Sequence, residues 1–137
     1  MIQRLDQLAQ DHGVVRDDLL LFGFSQGAIM TLAMVAQGLH AGYAITVAGR
    51  LAAPVLLAGS HPASVLVIGD SADRVMPLGL SQDAADRLRA AGHHVDLSLT
   101  DGIGHGIGAQ TLSSIASWLA ATASPPSPRT YDRRMTS

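Results

Sequence analysis

The chain has 137 residues, 47% of them hydrophobic and only 15% charged, with a formal net charge of −2 and no cysteine. That length suits one domain and the apolar share suits a core, while the near-neutral charge argues against nucleic acid or anionic lipid as a partner. The lack of cysteine excludes disulfides, thiolate metal sites and a cysteine nucleophile.

Residues 1–12 include Arg4, Asp6 and Asp11, which interrupt any signal-peptide core, and no apolar run reaches the roughly 18 residues of a membrane span. A soluble, cytoplasmic protein that does not engage a membrane is expected. Ile2, Leu5, Leu8 and Ala9 recur at helical spacing before Gly13, which predicts an opening amphipathic helix. After Arg16-Asp17-Asp18, the run Leu19 to Phe22 is the short continuous apolar stretch of a strand buried on both faces. A helix is predicted from Gln26 to Gln37, ending at Gly38. Ala44 to Ala48 and Ser64 to Ile68 read as two further buried strands, each closed by a glycine, Gly49 and Gly69.

Helical spacing returns from Leu80 to Ala91 and stops at Gly92. His94 to Leu99 alternates polar with apolar residues, as a half-exposed edge strand does. A last helix is predicted over about Ala109 to Thr122. Ser124-Pro125-Pro126-Ser127-Pro128 and the polar residues up to Ser137 lack hydrophobic periodicity, so the chain divides into a domain, residues 1–122, and a Pro/Ser-rich tail, residues 123–137. Strands alternating with helices imply a parallel sheet in a three-layer α/β domain.

Gly23-Phe24-Ser25-Gln26-Gly27 fits the pattern of a nucleophile elbow, and its context supports the match: an apolar strand precedes it and a helix follows. Such a turn strains the serine backbone, and the flanking glycines are expected to keep side chains out of the crowded corner. It also places the Gln26 amide at a helix N-terminus, where free N–H groups and the helix dipole can stabilise an oxyanion.

A serine hydroxyl needs a base, and the base needs a carboxylate to orient it. Asp70-Ser71-Ala72-Asp73 follows one predicted strand and Gly104-His105-Gly106 follows another, both at the edge where ligand sites of open α/β sheets form. Ser25, Asp73 and His105 are therefore expected to converge. Asp70 competes with Asp73, but its place nearer the strand end and before Ser71 suits a turn cap. His93 and His94 fall at the opposite edge of the sheet, and His12, His40 and His61 fall in turns where solvation is expected. No histidine pair has helical i, i+4 spacing with a carboxylate, so neither a metal nor another cofactor is expected.

Gly23-Phe24-Ser25-Gln26-Gly27-Ala28, Asp73-Arg74-Val75-Met76-Pro77 and Gly104-His105-Gly106-Ile107 together resemble the three signatures of the phospholipase/carboxylesterase family of α/β-hydrolases, which includes acyl-protein thioesterases. Ala48-Gly49-Arg50-Leu51 resembles the segment after that family's next strand. The resemblance covers about residues 1–122. It implies Ser25 as nucleophile, His105 as general base and then acid, and Asp73 as its orienter. Met76 stands where the family usually has valine, and Gly106 replaces a bulkier, often acidic residue; neither removes a catalytic atom.

The family's earlier strands, and the loop whose amide completes its oxyanion hole, have no counterpart here, which implies a sheet shortened to about four strands by loss of the N-terminal ones. The strand around Leu19 to Phe22 would then lie at an edge and favour a homo-oligomer. One missing oxyanion donor typically costs about 2.7 to 4 kcal/mol, so a slow enzyme is expected. No lid-sized insertion interrupts the strands, which points to an open site for short-chain acyl esters. Two readings remain: a serine carboxylesterase acting through an acyl-enzyme on Ser25, or a non-catalytic oligomerising or binding module, including an inactive fragment of a longer hydrolase.

Overall fold

The computed structural model describes residues 2–11 and 19–122. The elements in order are α1 (Ile2–Asp11), β1 (Leu21–Phe24), α2 (Gln26–Ala36), β2 (Tyr43–Val47), β3 (Ser64–Asp70), α3 (Leu78–Ala90), β4 (His94–Thr100) and α4 (Ala109–Thr122). The predicted Pro/Ser-rich tail lies outside the described residues, as does His12. No helix among the described residues is long and apolar enough to cross a membrane.

The four strands form one parallel sheet in the order β1-β2-β3-β4. Alternation along the central strands explains the layering. Ala44, Val65 and Val67 point to one face, where Leu32, Val35 and Ala36 of α2 and Ala84 and Leu88 of α3 complete a core. Ile45, Val47, Leu66 and Ile68 point to the other, where Trp118, Ile115 and Leu119 of α4 cover them. Two apolar faces in one strand require helices on both sides, and this chain is a three-layer α/β fold of shortened α/β-hydrolase type.

Several boundaries differ from expectation for identifiable reasons. The first strand is displaced from Leu19–Phe22 to Leu21–Phe24, because its pairing with β2 runs from Leu21 opposite Ala44 up to Phe24 opposite Val47, directly below the elbow. Gly69 does not end β3, which continues through Asp70 opposite Thr100. Its role is close packing: a Cβ at Gly69 would lie 2.6 Å from Ser81 Oγ of α3. α3 starts two residues earlier than expected, after Pro77, whose φ of −52° and ψ of 147° lead into the first turn.

The regular alternation of strand and helix fails once. Residues 48–63 cross from β2 to β3 without a helix, in a segment containing Pro54, Gly59 and Pro62. Side chains and backbone hold it instead: the Arg87 guanidinium donates to the carbonyls of Leu51 and Ala53, and Gln37 donates to that of Pro54. His40 corrects another expectation. It is 1% exposed rather than solvated, with Nε2 3.0 Å from the Tyr43 carbonyl, whereas His61 is exposed as anticipated.

Candidate active site

Ser25 sits between β1 and α2 with φ 55° and ψ −113°, a backbone conformation that non-glycine residues rarely occupy. The turn is fixed on both sides: the Ser25 amide donates to the Val47 carbonyl of β2, and its carbonyl accepts from the Ile29 amide of α2. The two elbow glycines differ. A Cβ at Gly23 would fall 2.3 Å from the Gly27 carbonyl oxygen, so that position admits no side chain without movement. A Cβ at Gly27 meets nothing within 4 Å, which corrects the expectation that both glycines relieve crowding.

Asp73 lies in the turn after β3 and is buried, with no side-chain exposure. Its Oδ1 accepts from the amides of Val75 and Met76 at 2.9 and 2.8 Å, which aims Oδ2 at His105 Nδ1, 2.9 Å away. Burial pushes the Asp73 carboxyl up, but the His105 hydrogen bond and the two amides outweigh it and hold the group below its ordinary value. His105, in the loop after β4, has its Nε2 2.9 Å from Ser25 Oγ. The structure thus brings Ser25, His105 and Asp73 into one hydrogen-bonded series, running from a half-buried hydroxyl through a half-buried imidazole to a fully buried carboxylate.

This arrangement is a catalytic-triad-like constellation beside a nucleophile elbow. With Asp73 accepting from Nδ1–H, the Nε2 lone pair faces the hydroxyl proton, the tautomer that general-base activation of serine requires. Gln26 opens α2 immediately after Ser25, so its amide belongs to the first helical turn, whose N–H groups have no intrahelical acceptor.

The His105 ring bonds Asp73 and Ser25, not Asp70. Asp70 is buried at the end of β3, where its carboxylate accepts from the Ala72 amide, as a turn cap should, and also from Thr100 Oγ1 and the Gly104 amide. His93 and His94 lie at the start of β4, remote from the sheet edge that carries Ser25; His93 Nδ1 accepts from the Ala63 amide. Sequence reasoning missed Phe24. Its ring packs against the His105 imidazole with centroids 5.1 Å apart, and the only clue was its place inside the elbow pattern.

Comparison with known proteins places the chain in a family and beside similar folds. The family described as phospholipase/carboxylesterase matches residues 1–123. Esterase PE8 has 27% identity to the chain, with a TM-score of 0.74, over 88% of this chain and 57% of that one. Two more distant structures speak for the fold alone. Arabidopsis thaliana SOBER1 has 21% identity and a TM-score of 0.70 over 88% of this chain and 61% of its own, and the Bacillus cereus carboxylesterase has 17% identity and 0.73 over 85% and 56%. The chain therefore spans less than two thirds of each of these proteins. No curated protein matches it.

Proposed function

Because this chain belongs to the phospholipase/carboxylesterase family, we propose that it is a serine carboxylesterase that hydrolyses short-chain acyl esters through an acyl-enzyme on Ser25. The observation that carries this reading is the unbroken series Ser25 Oγ, His105 and Asp73, with both links at 2.9 Å. His105 takes the hydroxyl proton as Ser25 attacks the ester carbonyl. It returns that proton to the leaving alcohol, then draws a proton from the water that attacks the acyl-enzyme and hands it to Ser25 Oγ as the acid departs. Asp73 holds the ring in the required tautomer and stabilises the imidazolium that forms. The Gln26 amide donates to the oxyanion.

The nucleophile strand stands at one edge of the four-stranded sheet. Phe22 on that strand is 51% exposed, and Leu20 before it is exposed as well, so pairing with a second copy would remove apolar surface from water. A homo-oligomer is therefore part of the proposal, and a monomer in sedimentation at micromolar concentration would overturn that part. The chemistry is tested by turnover of a short-chain aryl ester. Activity in the native chain that Ser25→Ala removes while the fold is retained is the expected result; equal background rates for both would leave a non-catalytic binding module.

A further inference from the structure

Asp73 holds the imidazole ring, but a ring is only as well placed as the backbone beneath it. The loop carrying His105 leaves β4 at Thr100, turns through Gly102 and Gly104 at φ 75° and 87°, and reaches α4 at Ala109. It has no strand or helix of its own to fix its path. Its position depends on hydrogen bonds from the turn after β3 and from the start of α4.

Asp70 meets that loop directly. Oδ1 accepts from Thr100 Oγ1 at 2.6 Å, and Oδ2 accepts from the Gly104 amide at 2.7 Å, one residue before His105. The nearby Ile103 amide also favours the ionised form of this carboxylate. Oδ2 also accepts from the Ala72 amide at 2.9 Å, one residue before Asp73. A single buried carboxylate therefore binds both the turn that carries Asp73 and the loop that carries His105. Beside it, the Ser71 hydroxyl donates to the Asp101 carboxylate and accepts from the Gly102 amide, and the Gln110 side chain exchanges hydrogen bonds with the Asp101 backbone. Burial opposes ionisation of Asp70, yet the donors from Thr100, Gly104, Ala72 and Ile103 bring it down to about 2, so it is anionic wherever an imidazole base is neutral.

We propose that Asp70 is a positioning residue for the hydrolytic site: it clamps the Asp73 turn to the His105 loop, so that Asp73 orients the ring while Asp70 fixes the backbone from which the ring projects. The kinetic part of this inference rests on the esterase reading; its structural part does not. Asp70→Asn keeps the size of the side chain but replaces an anion with a neutral amide: one oxygen still meets the Gly104 and Ala72 amides through weaker, uncharged bonds, and the NH₂ forces Thr100 Oγ1 to accept where it now donates. A displacement of His105 by about 1 Å is enough to slow general-base catalysis roughly 100-fold.

The test uses the whole chain and two measurements. In Asp70→Asn, kcat on a short-chain aryl ester is expected to fall about 10- to 100-fold with KM within about twofold, and the low-field proton resonance of the His105–Asp73 hydrogen bond to broaden or vanish while the remaining amide spectrum is kept. Should Asp70→Asn not fold, Thr100→Val removes one donor to Asp70 at nearly constant volume, with an expected kcat loss of about three- to tenfold and the same change at the His105 resonance. A folded variant with native kcat and a native His105 resonance overturns the inference. If the native chain shows no turnover above Ser25→Ala, the esterase reading falls, and the resonance alone then decides whether Asp70 holds the loop.

Discussion

The ring of Phe24 rests on the imidazole of His105, the two planes inclined at 37°. Phe24 also packs against the buried cluster that includes Ile45, Ile68 and Trp118 on the face covered by α4, so it links the site to that half of the core. An aromatic pair of this kind contributes about 0.5 to 1.5 kcal/mol beyond its buried area. Phe24→Leu keeps the apolar cover and loses the ring. It is expected to lower kcat about two- to tenfold with little change in KM, and steady-state kinetics on an aryl ester would show it.

Ser25 carries backbone strain as well as chemistry. Conformations of this type cost about 1 to 3 kcal/mol for a side-chain-bearing residue. Ser25→Gly should relieve part of that cost and raise the thermal midpoint by a few degrees, whereas Ser25→Ala, which still has a Cβ, should not. Both variants are expected to be inactive. Calorimetry of the pair separates the strain from the loss of the hydroxyl.

The elbow glycines predict opposite outcomes for the same substitution. Gly23→Ala drives a methyl group into the Gly27 carbonyl and is expected to destabilise the chain by several kcal/mol or prevent folding. Gly27→Ala finds open space and places a better helix former in α2, so a neutral or slightly stabilising effect is expected. Denaturant midpoints of the two variants check this.

Stability should fall in acid through Asp70. Its folded value of about 2 lies below the roughly 3.9 of an unfolded aspartate, so its contribution is fully present above pH 4 and lost as the pH falls through 2. Asp73, also held below its ordinary value, acts in the same direction. Thermal midpoints between pH 5 and 2 should drop steeply in the native chain and less steeply in Asp70→Asn.

What the sequence revealed and what it hid follow from the range of the interactions involved. The α4 boundaries, Ala109 to Thr122, coincide with those read from local periodicity, and the layering follows from unbroken apolar runs such as Val65 to Ile68. The convergence of Ser25, His105 and Asp73 was legible because each follows a strand of one parallel sheet, whose ends share an edge. The role of Gly69 was not, because glycine reads as punctuation until the Ser81 hydroxyl is seen packed against it. His40 was misjudged for a similar reason: a turn residue is exposed by default, and only the folded chain shows this one enclosed. Asp70 was recognised as a turn cap, but its reach to Gly104 links positions 34 residues apart and leaves no local trace.

β2 supplies no side chain to the Ser25–His105–Asp73 series, yet it determines the span that series must cross. Adjacent strands lie about 4.8 Å apart, so inserting β2 between β1 and β3 separates the serine-bearing strand from the aspartate-bearing one by nearly 10 Å. A hydroxyl and a carboxylate so far apart cannot meet. A flat ring with a nitrogen on each side, leaning in from the fourth strand, bridges that gap, and the choice of histidine as the middle member is thus a matter of reach as much as of basicity.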